Sequence, residues 1–288
     1  MKNGNVLLKK KKKKKKKIKY NDIIYFFYKK NFFIKKKNKI YKNKNIKINI
    51  KYEDKDIIII NKKPGLIVHP GCGNYKNTLV NWLKYYNYKN NNNLNYNEYK
   101  YGLLHRLDKD TSGLLIIAKN IKSYNNIKNQ FINRTIKKKY LAIVNGIPKK
   151  NNYIIKNYIG RNLKNRLKMQ IFNNKKYGKL SITKLKIIKK FNNFSIIKCY
   201  LITGRTHQIR VHLQYIGNPV LNDLVYKNNN NIKNNIIINN YLNKIKRQAL
   251  HSYYIKFKHP KNNKYIKFIS NLPKDMNKIL NLIKKNNL

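Results

Sequence analysis

The stretch His105–Asn120, HRLDKDTSGLLIIAKN, joins a polar loop to an apolar strand, and it guides the interpretation of the whole chain. It contains two of the nine Asp and Glu residues, whereas Lys and Arg together number 68. A carboxylate in so basic a chain adds little to solubility, so Asp108 is expected to act on something that positive charge attracts. Asp110 precedes Thr-Ser-Gly, which is typical of a loop residue that caps backbone N–H groups.

The formal net charge is +59 over 288 residues, which indicates a polyanionic partner, most naturally nucleic acid. A compositional bias towards Lys, Asn, Ile and Tyr is a second source of this charge, and we take both to operate. Lys outnumbers Arg 61 to seven, so Arg106, Arg205 and Arg210 mark places where a planar guanidinium is required. Arg134 and Arg247 are expected to have no specific role.

Several classes of protein are disfavoured by what the sequence lacks. Cys72 and Cys199 form no CxxC pair, which favours a reducing, cytoplasmic compartment. No apolar stretch approaches the ~20 residues of a membrane helix. Neither a GxxxxGK[ST] loop nor a GxGxxG fingerprint occurs, so ATP and NAD are not implied. His207 and His212 lack ligand partners at metal-site spacing, so no metal is expected.

The hydrophobic pattern predicts short strands separated by few helices. The predicted strands are Asp56–Asn61, Gly113–Lys119, Lys139–Asn145, Ser195–Thr203, Leu250–His259 and Lys264–Ile269. The predicted helices are Asn77–Tyr86, Ile121–Asn133, Thr206–Tyr215 with Thr206 as its cap, and Asp275–Lys285. Residues 87–99 and 227–243 are interpreted as loops. Because no regular βαβ rhythm occurs, we expect an α+β fold with a mixed, largely antiparallel central sheet and flanking helices.

The first 50 residues differ from the rest, so two domains are expected: a Lys-rich N-terminal arm at 1–50 and a folded catalytic domain at 51–288. The run Lys9–Lys17 cannot pack into a core. It is interpreted either as a non-specific RNA tether or as codon slippage without a role. Tyr20–Ile50 is expected to contain one or two short strands.

Two further segments carry candidate chemistry. In Thr203–His212, TGRTHQIRVH, Gly204 permits a tight turn and the following helix N-terminus attracts anions. Arg205 stands at this turn, where it can reach a carboxylate bidentately. Tyr140, in KKYLA, is either a core aromatic or a ring that stacks on a base; from the residues alone the core role is favoured.

These segments, together with Asn61–His69 and Arg247–His251, stand in the order found in the RluA-type RNA pseudouridine synthases, which residues 51–275 resemble. The resemblance implies the pseudouridine synthase catalytic fold and isomerisation of uridine in RNA by base flipping, with no metal or organic cofactor. It implies catalytic roles for Asp108, Tyr140 and Arg205, with Arg205 rather than Arg210 pairing with the aspartate. The RNA-binding residues expected are Arg106, Arg210, His105, Lys62 and His207.

Within the family the resemblance points to enzymes of large-subunit, 23S-type ribosomal RNA, acting as cytoplasmic monomers without a membrane partner. Two alternatives remain open: the same isomerase acting on tRNA, and a non-catalytic RNA-binding ribosome assembly factor. The route of Asp108 is also open, between attack on C1′, attack on C6 and abstraction of a sugar proton. Many members carry an N-terminal S4 domain, and none is recognisable in residues 1–50.

Overall fold

The computed structural model describes residues 40–71, 73–91, 94–226 and 236–285. The chain divides into a unit of residues 1–40 and a unit of residues 41–288, and the account below concerns the second. The Asn43 amide donates to the Lys76 carbonyl and to Asn77 Oδ1, both at 2.9 Å, so residues just after 40 pack with this unit. The run Lys9–Lys17, the strands expected before residue 40, and Cys72 lie outside the described residues.

One mixed sheet of ten strands organises this unit. The strands are β1 Asn49–Glu53, β2 Ile57–Lys62, β3 Ser112–Ala118, β4 Lys137–Asn145, β5 Asn152–Arg161, β6 Met169–Phe172, β7 Lys179–Lys190, β8 Phe194–Leu201, β9 Leu250–Lys258 and β10 Tyr265–Ile269. Their spatial order is β1-β2-β3-β9-β4-β8-β7-β5-β6, and β10 pairs with the end of β9. Among these pairs only β3 and β9 run parallel, through Ser112–His251 and Gly113–Ser252. The expected α+β fold with a mixed, largely antiparallel sheet is confirmed.

Helices flank this sheet. They are α1 Leu79–Lys89, α2 Tyr96–Tyr99, α3 Ile121–Ile132, α4 Gln208–Tyr215, α5 Ile236–Ile245 and α6 Lys274–Lys285, and a 3-10 turn spans Lys100–Gly102. A capping box between Thr78 and Asn81 begins α1, and the Asn120 side chain accepts from the Ser123 N–H at the start of α3. In the described ranges no helix has the length and apolarity that would let it cross a membrane.

The core lies where the most apolar strands are covered on both faces. The residues Ile57–Ile60 of β2 are fully buried, and so is every residue of β3. A run without alternation is typical of a strand with no solvent face. On one side α3 packs Tyr124 and Ile127 against these strands, together with Phe257 of β9. The first residues of β3 are thus fixed by the core, and they anchor the loop that precedes them.

Three local predictions about helices were wrong: the loops at 87–99 and 227–243, and the cap of α4 at Thr206. Helix α1 continues to Lys89, because the buried Asn87 amide donates to the Leu83 carbonyl, and a short helix, α2, forms within the predicted loop 87–99. Residues 227–235 lie outside the described residues, but Ile236–Ile245 is a helix because Ile238 and Leu242 face the core. Thr206 does not cap α4, which begins at Gln208.

No strand was predicted between residues 150 and 190, yet this part contains β5, β6 and β7. In β7, the exposed Lys184 and Lys186 alternate with the buried Thr183 and Leu185. This is the two-residue period of a half-buried strand, with lysine in the polar positions. The segment extends the sheet beyond β8 and supplies the floor on which α4 rests.

Gly113 provides a stability test of the β3–β9 crossing. Its φ is +120°, and a Cβ there would overlap the main chain of Ser252. We expect Gly113→Ala to lower the free energy of unfolding by more than about 3 kcal/mol, from backbone strain and overlap together. Gly71→Ala is the matched control, since nothing lies within 4 Å of its Cβ position. Urea unfolding of both variants measures the effect, and equal losses would contradict it.

Candidate functional site

An open cleft of about 600 Å³ lies over the middle of the sheet. It is lined by the loop before β3, the start of β4, the C-terminal end of α3 and the turn between β8 and α4. Six cationic side chains and one carboxylate line it; the cations are Lys100, Arg106, Arg134, Lys138, Arg205 and Arg210, and the carboxylate is Asp108. Four of the seven arginines of a Lys-rich chain therefore meet in one cleft.

Asp108 pairs with Arg210 across this cleft. Its Oδ2 accepts from Arg210 Nη1 at 3.1 Å, and its side chain keeps 20% of its exposure. Arg210 in turn donates from Nε and Nη2 to the two oxygens of Asp223, at 2.6 and 2.8 Å. Burial opposes the charge of Arg210, but Asp223 and Asp108 together raise its pKa above the ordinary value. A fully charged guanidinium thus bridges a buried carboxylate and a partly open one.

The expectation that Arg205 pairs with Asp108 was wrong, because the turn aims Arg205 elsewhere. Gln208 Oε1 accepts from the Arg205 N–H at 2.9 Å, which fixes the turn. Arg205 Nε donates to the Leu180 carbonyl at 3.1 Å, and among the described residues no carboxylate lies within ion-pair distance of it. Arg205 still lines the cleft, so it borders the same space as Asp108 without pairing with it.

His207 stands beside the aspartate at the N-cap of α4, in a left-handed conformation with φ 55°. Its Nε2 lies 4.0 Å from Asp108 Oδ1, and its Nδ1 bonds the Tyr226 hydroxyl at 2.8 Å. The Tyr226 oxygen also accepts from the Met169 N–H, so its own proton is available for Nδ1. Nδ1 is thus engaged with Tyr226, and Nε2 is the ring nitrogen that faces Asp108. Burial lowers the pKa of His207, although Asp108 opposes the shift.

Tyr140 and Lys138 project from β4 into the cleft, two residues apart on the same face of the strand. Burial raises the pKa of the Tyr140 hydroxyl well above 10, so the phenol stays protonated at neutral pH. Burial also lowers the pKa of Lys138 to about 8. Its ammonium lies 5.1 Å from the centre of the Phe131 ring, which makes it a cation at the cleft wall.

The other residues with expected RNA contacts fall in different environments. Arg106 is exposed at the cleft. His105 lines the cleft, but its Nε2 accepts from the Ile116 N–H at 2.9 Å and burial takes its pKa well below 6.5. It is therefore neutral and tied to β3. Arg134, which was expected to have no role, also lines the cleft.

The expected RNA contact at Lys62 was wrong. The side chain is 1% exposed, and its Nζ donates to the carbonyls of Lys63, Leu66 and Lys109 at 2.8–3.0 Å. Burial lowers the pKa of Lys62 to about 7, while the three carbonyls, each accepting one N–H, favour the ammonium form. Lys62 thus holds the loop that carries Asp108 through a main-chain contact at Lys109, outside the cleft lining.

Arg247, also expected to have no role, holds the same loop. Its Nη1 donates to the Asp110 carbonyl at 3.2 Å, and its Nε and Nη2 pair with the two oxygens of Asp275 at 2.6 and 2.8 Å. The pair links the loop to the start of α6. Neighbouring Gln248 donates to the Thr111 hydroxyl at 3.1 Å, which adds a second tie.

Candidate metal ligands are already engaged in hydrogen bonds. His212 bonds Thr183 Oγ1 through Nδ1 at 2.8 Å and Asn157 Oδ1 through Nε2 at 3.0 Å. Asp54, Asp56 and His259 place one ligand atom each within 4.8 Å of one another, outside the cleft lining. Asp54 there accepts from the N–H groups of Asp56 and Ile57 and bonds His259 at 2.8 Å, so this cluster is a structural network.

Sequence reasoning missed three residues of this site: Asp223, Tyr226 and Lys138. A signal existed for Asp223, since every carboxylate is unusual in this chain, and a fully buried one must be paired. Lys138 precedes Tyr140 by two positions, so the strand period alone puts both on one face. Tyr226 carried no signal among 24 tyrosines.

Comparisons with known proteins agree with the geometry. The sequence profile described as RNA pseudouridylate synthase matches residues 56–215. A ribosomal large subunit pseudouridine synthase D of Buchnera aphidicola is 42% identical over 248 residues, which cover 84% of this chain and 75% of that protein. An uncharacterized RNA pseudouridine synthase of Bacillus subtilis is 37% identical over 83% of this chain and 74% of that protein.

The fold is also that of a solved structure. Human RNA pseudouridylate synthase domain containing 4 superimposes with a TM-score of 0.65 over 82% of this chain and 93% of that chain, at 21% identity. At this identity the likeness concerns the fold alone. Together with the sequence matches, it confirms the resemblance that the motifs carry.

The Arg210–Asp223 pair is a test of site stability. Arg210→Met leaves a buried carboxylate without its guanidinium, so we expect the free energy of unfolding to fall by about 3–5 kcal/mol. Arg205→Met is the matched control, with an expected loss of about 1 kcal/mol because it removes one hydrogen bond to a carbonyl. Denaturant unfolding measures both, and adding Asp223→Asn to Arg210→Met should recover part of the loss. A control loss as large as that of Arg210→Met would contradict the assignment.

His212 predicts a pH dependence of stability. Burial lowers its pKa to about 4 from 6.5, so the unfolded state binds more protons between these values. The free energy of unfolding therefore falls as the pH falls from 6.5 towards 4, and the share of His212 at pH 5 is about 2 kcal/mol. In His212→Gln the difference in stability between pH 7 and pH 5 should shrink by that amount. An unchanged difference in denaturant melts would contradict it.

Proposed function

The chain belongs to the RNA pseudouridylate synthase family, and on that premise we propose that it isomerises specific uridines of large-subunit ribosomal RNA, with Asp108 as the catalytic carboxylate. It is an RNA pseudouridine synthase, as the motifs predicted. One observation carries the assignment of Asp108: it is the carboxylate of a cleft whose other charged lining residues are Lys and Arg, and it keeps partial exposure while Arg210 fixes one of its oxygens.

The cationic lining matches the charge of an RNA substrate. A uridine stacked in RNA is out of reach of a side chain in a cleft, so it must be extruded, at a cost of a few kcal/mol. Phosphate contacts to the cleft arginines and stacking on an aromatic ring offset that cost. Arg106, exposed beside Asp108 in the loop, is placed to occupy the gap that the extruded base leaves.

The reaction conserves every atom of the nucleoside. The N1–C1′ bond breaks, uracil turns within the cleft, and C5 bonds to C1′. The proton lost from C5 is balanced by a proton gained at N1, so the sum of charges is unchanged. An ionised Asp108 serves each of the three routes, as a nucleophile at C1′ or C6 or as a base at the sugar.

The side chains around Asp108 limit which chemical roles fall to its carboxylate. Tyr140 is protonated at neutral pH, so its ring is a surface for the uracil and its hydroxyl is a donor rather than a base. Arg210 holds the oxygen of Asp108 nearest to it and leaves the second oxygen beside His207. We infer that the substrate meets that second oxygen, in the space beside Nε2 of His207.

The ribosomal substrate is supported by the names of relatives. Several proteins 36–42% identical to this chain are called ribosomal large subunit pseudouridine synthase D. We propose the same RNA class for this enzyme, and with it a cytoplasmic, monomeric protein that works without a metal or organic cofactor.

A pseudouridine map of ribosomal RNA and tRNA, in cells with and without the protein, tests the substrate. Pseudouridine lost from tRNA alone would contradict it.

Asp108→Asn tests the catalytic role. We expect pseudouridine formation to fall by at least about 10²-fold, because an amide can neither attack nor accept a proton. RNA affinity should be kept, since the amide removes no cation. Asp110→Asn is the matched control: it makes the same change of charge two residues away and should retain activity. Pseudouridine release assays and filter binding give the two readouts, and equal activity in both variants would contradict the role.

A further inference from the structure

The sheet has a second basic surface on the side opposite the cleft. Lys138 and Tyr140 of β4 face the cleft, so Lys137 and Lys139 face away from it. Residues directly opposite in neighbouring strands share a face, which brings further lysines and tyrosines to that side. The lysines and tyrosines of this outer sheet face are Lys137, Lys139, Lys184, Lys186, Lys198, Tyr200, Tyr254, Lys256, Lys258, Tyr265 and Lys267.

Cations and rings alternate across this face. Lys139 stands opposite Tyr200 on one side and Tyr254 on the other, and Tyr200 stands opposite Lys184. The Lys139 ammonium lies 4.3 Å from the centre of the Tyr254 ring and 5.5 Å from that of Tyr200. The Lys256 ammonium lies 4.8 Å from the Tyr265 ring. Such contacts hold flexible lysine side chains in place on the sheet.

Like charges also face each other here without compensation. Lys256 lies between Lys137 and Lys267 in the register, and Lys198 lies opposite Lys186. Cross-strand pairs of like charge are destabilising. None of the strands from β3 to β10 contains Asp or Glu, and no ion pair among the described residues involves a lysine of this face. Burial, then Lys198 and Lys256, lower the pKa of Lys139, which reflects this crowding.

We propose that the outer sheet face binds the phosphate backbone of RNA, as a second contact surface on the other side of the sheet from the catalytic cleft. An RNA backbone supplies the negative charge that the face lacks, and binding it releases counterions in proportion to the phosphates neutralised. A second copy of this chain does not fit, because two such faces repel each other. The inference rests on the proposed function in one respect: the RNA is taken to be the same molecule whose uridine enters the cleft.

A triple substitution measures this surface. Lys139→Gln, Lys198→Gln and Lys256→Gln together remove the three half-buried lysines of the face. The control makes Lys149→Gln, Lys150→Gln and Lys190→Gln, which remove equal charge from exposed positions in or beside turns outside the cleft lining. The probe is a domain-sized transcript of large-subunit ribosomal RNA, bound at a series of salt concentrations. Circular dichroism and urea unfolding check that both variants fold.

We expect the outer-face variant to bind this RNA at least about tenfold more weakly at low salt, with the slope of log K against log salt reduced by about 2. The control should change both quantities less. On a single stem-loop that fills only the cleft, the turnover of the outer-face variant should equal that of the wild type. Equal changes in the outer-face and control variants, or none in either, would overturn the proposal.

Lysine acetylation of the wild-type chain gives a second measurement that needs no variant. Lys139, Lys198 and Lys256 should be protected by the RNA, and Lys149 and Lys150 should not. Lack of protection would overturn the proposal, and so would protection that grows with protein concentration in the absence of RNA, which would assign the face to a second copy. Because binding is read without pseudouridine formation, failure of the proposed function would show as absent isomerisation with this protection intact.

Discussion

The guanidinium of Arg210 links the core of this molecule to its cleft. Arg210 is 5% exposed. Its Nε and Nη2 donate to the fully buried carboxylate of Asp223, and its Nη1 donates to the carboxylate of Asp108 in the cleft. A buried charge without a partner is costly, so Asp223 and Arg210 require each other. The pair then fixes the position of Asp108, which lies 102 residues earlier in the chain. The carboxylate of Asp108 is therefore oriented by a guanidinium that also neutralises a buried charge in the core.

The loop that carries Asp108 is held by two cations that do not line the cleft. Lys62 donates to the Lys109 carbonyl, and Arg247 donates to the Asp110 carbonyl. In a chain with 68 basic residues, burial separates two uses of positive charge. The buried Lys62 and Arg247 bind main-chain carbonyls and set the loop, whereas under our proposals other cations of the cleft and the outer sheet face meet phosphate.

The parts that the sequence predicted are those where a local pattern fixes the structure. Four isoleucines in a row mark a strand buried on both faces, and the segment His105–Asp108 was expected at the candidate site and does line the cleft. The choice between Arg205 and Arg210 was beyond such reasoning. It depends on the left-handed backbone of His207 and on the Gln208 side chain, which together set where α4 begins and which way each guanidinium points.

Burial accounts for the other errors. Lys62 belongs to the segment Asn61–His69, which carries part of the family resemblance. Its ammonium nevertheless points into the protein, where it donates to three carbonyls. Helix α5 forms within an Asn-rich segment that composition assigns to a loop, because Ile238 and Leu242 find an apolar surface there. Such outcomes depend on residues far apart in the chain, so no window of sequence contains them.

The position of β9 has a consequence for how the protein is made. This strand, residues 250–258, lies between β3 and β4 in the sheet, although more than 100 residues separate it from either in the chain. While the ribosome is still adding those residues, β3 and β4 lack the strand that joins them, and loop closure over such a distance slows folding. Two apolar strand edges therefore stay open until residues 250–258 have emerged, and during that time the nascent chain depends on its own charge, or on chaperones, to avoid aggregation.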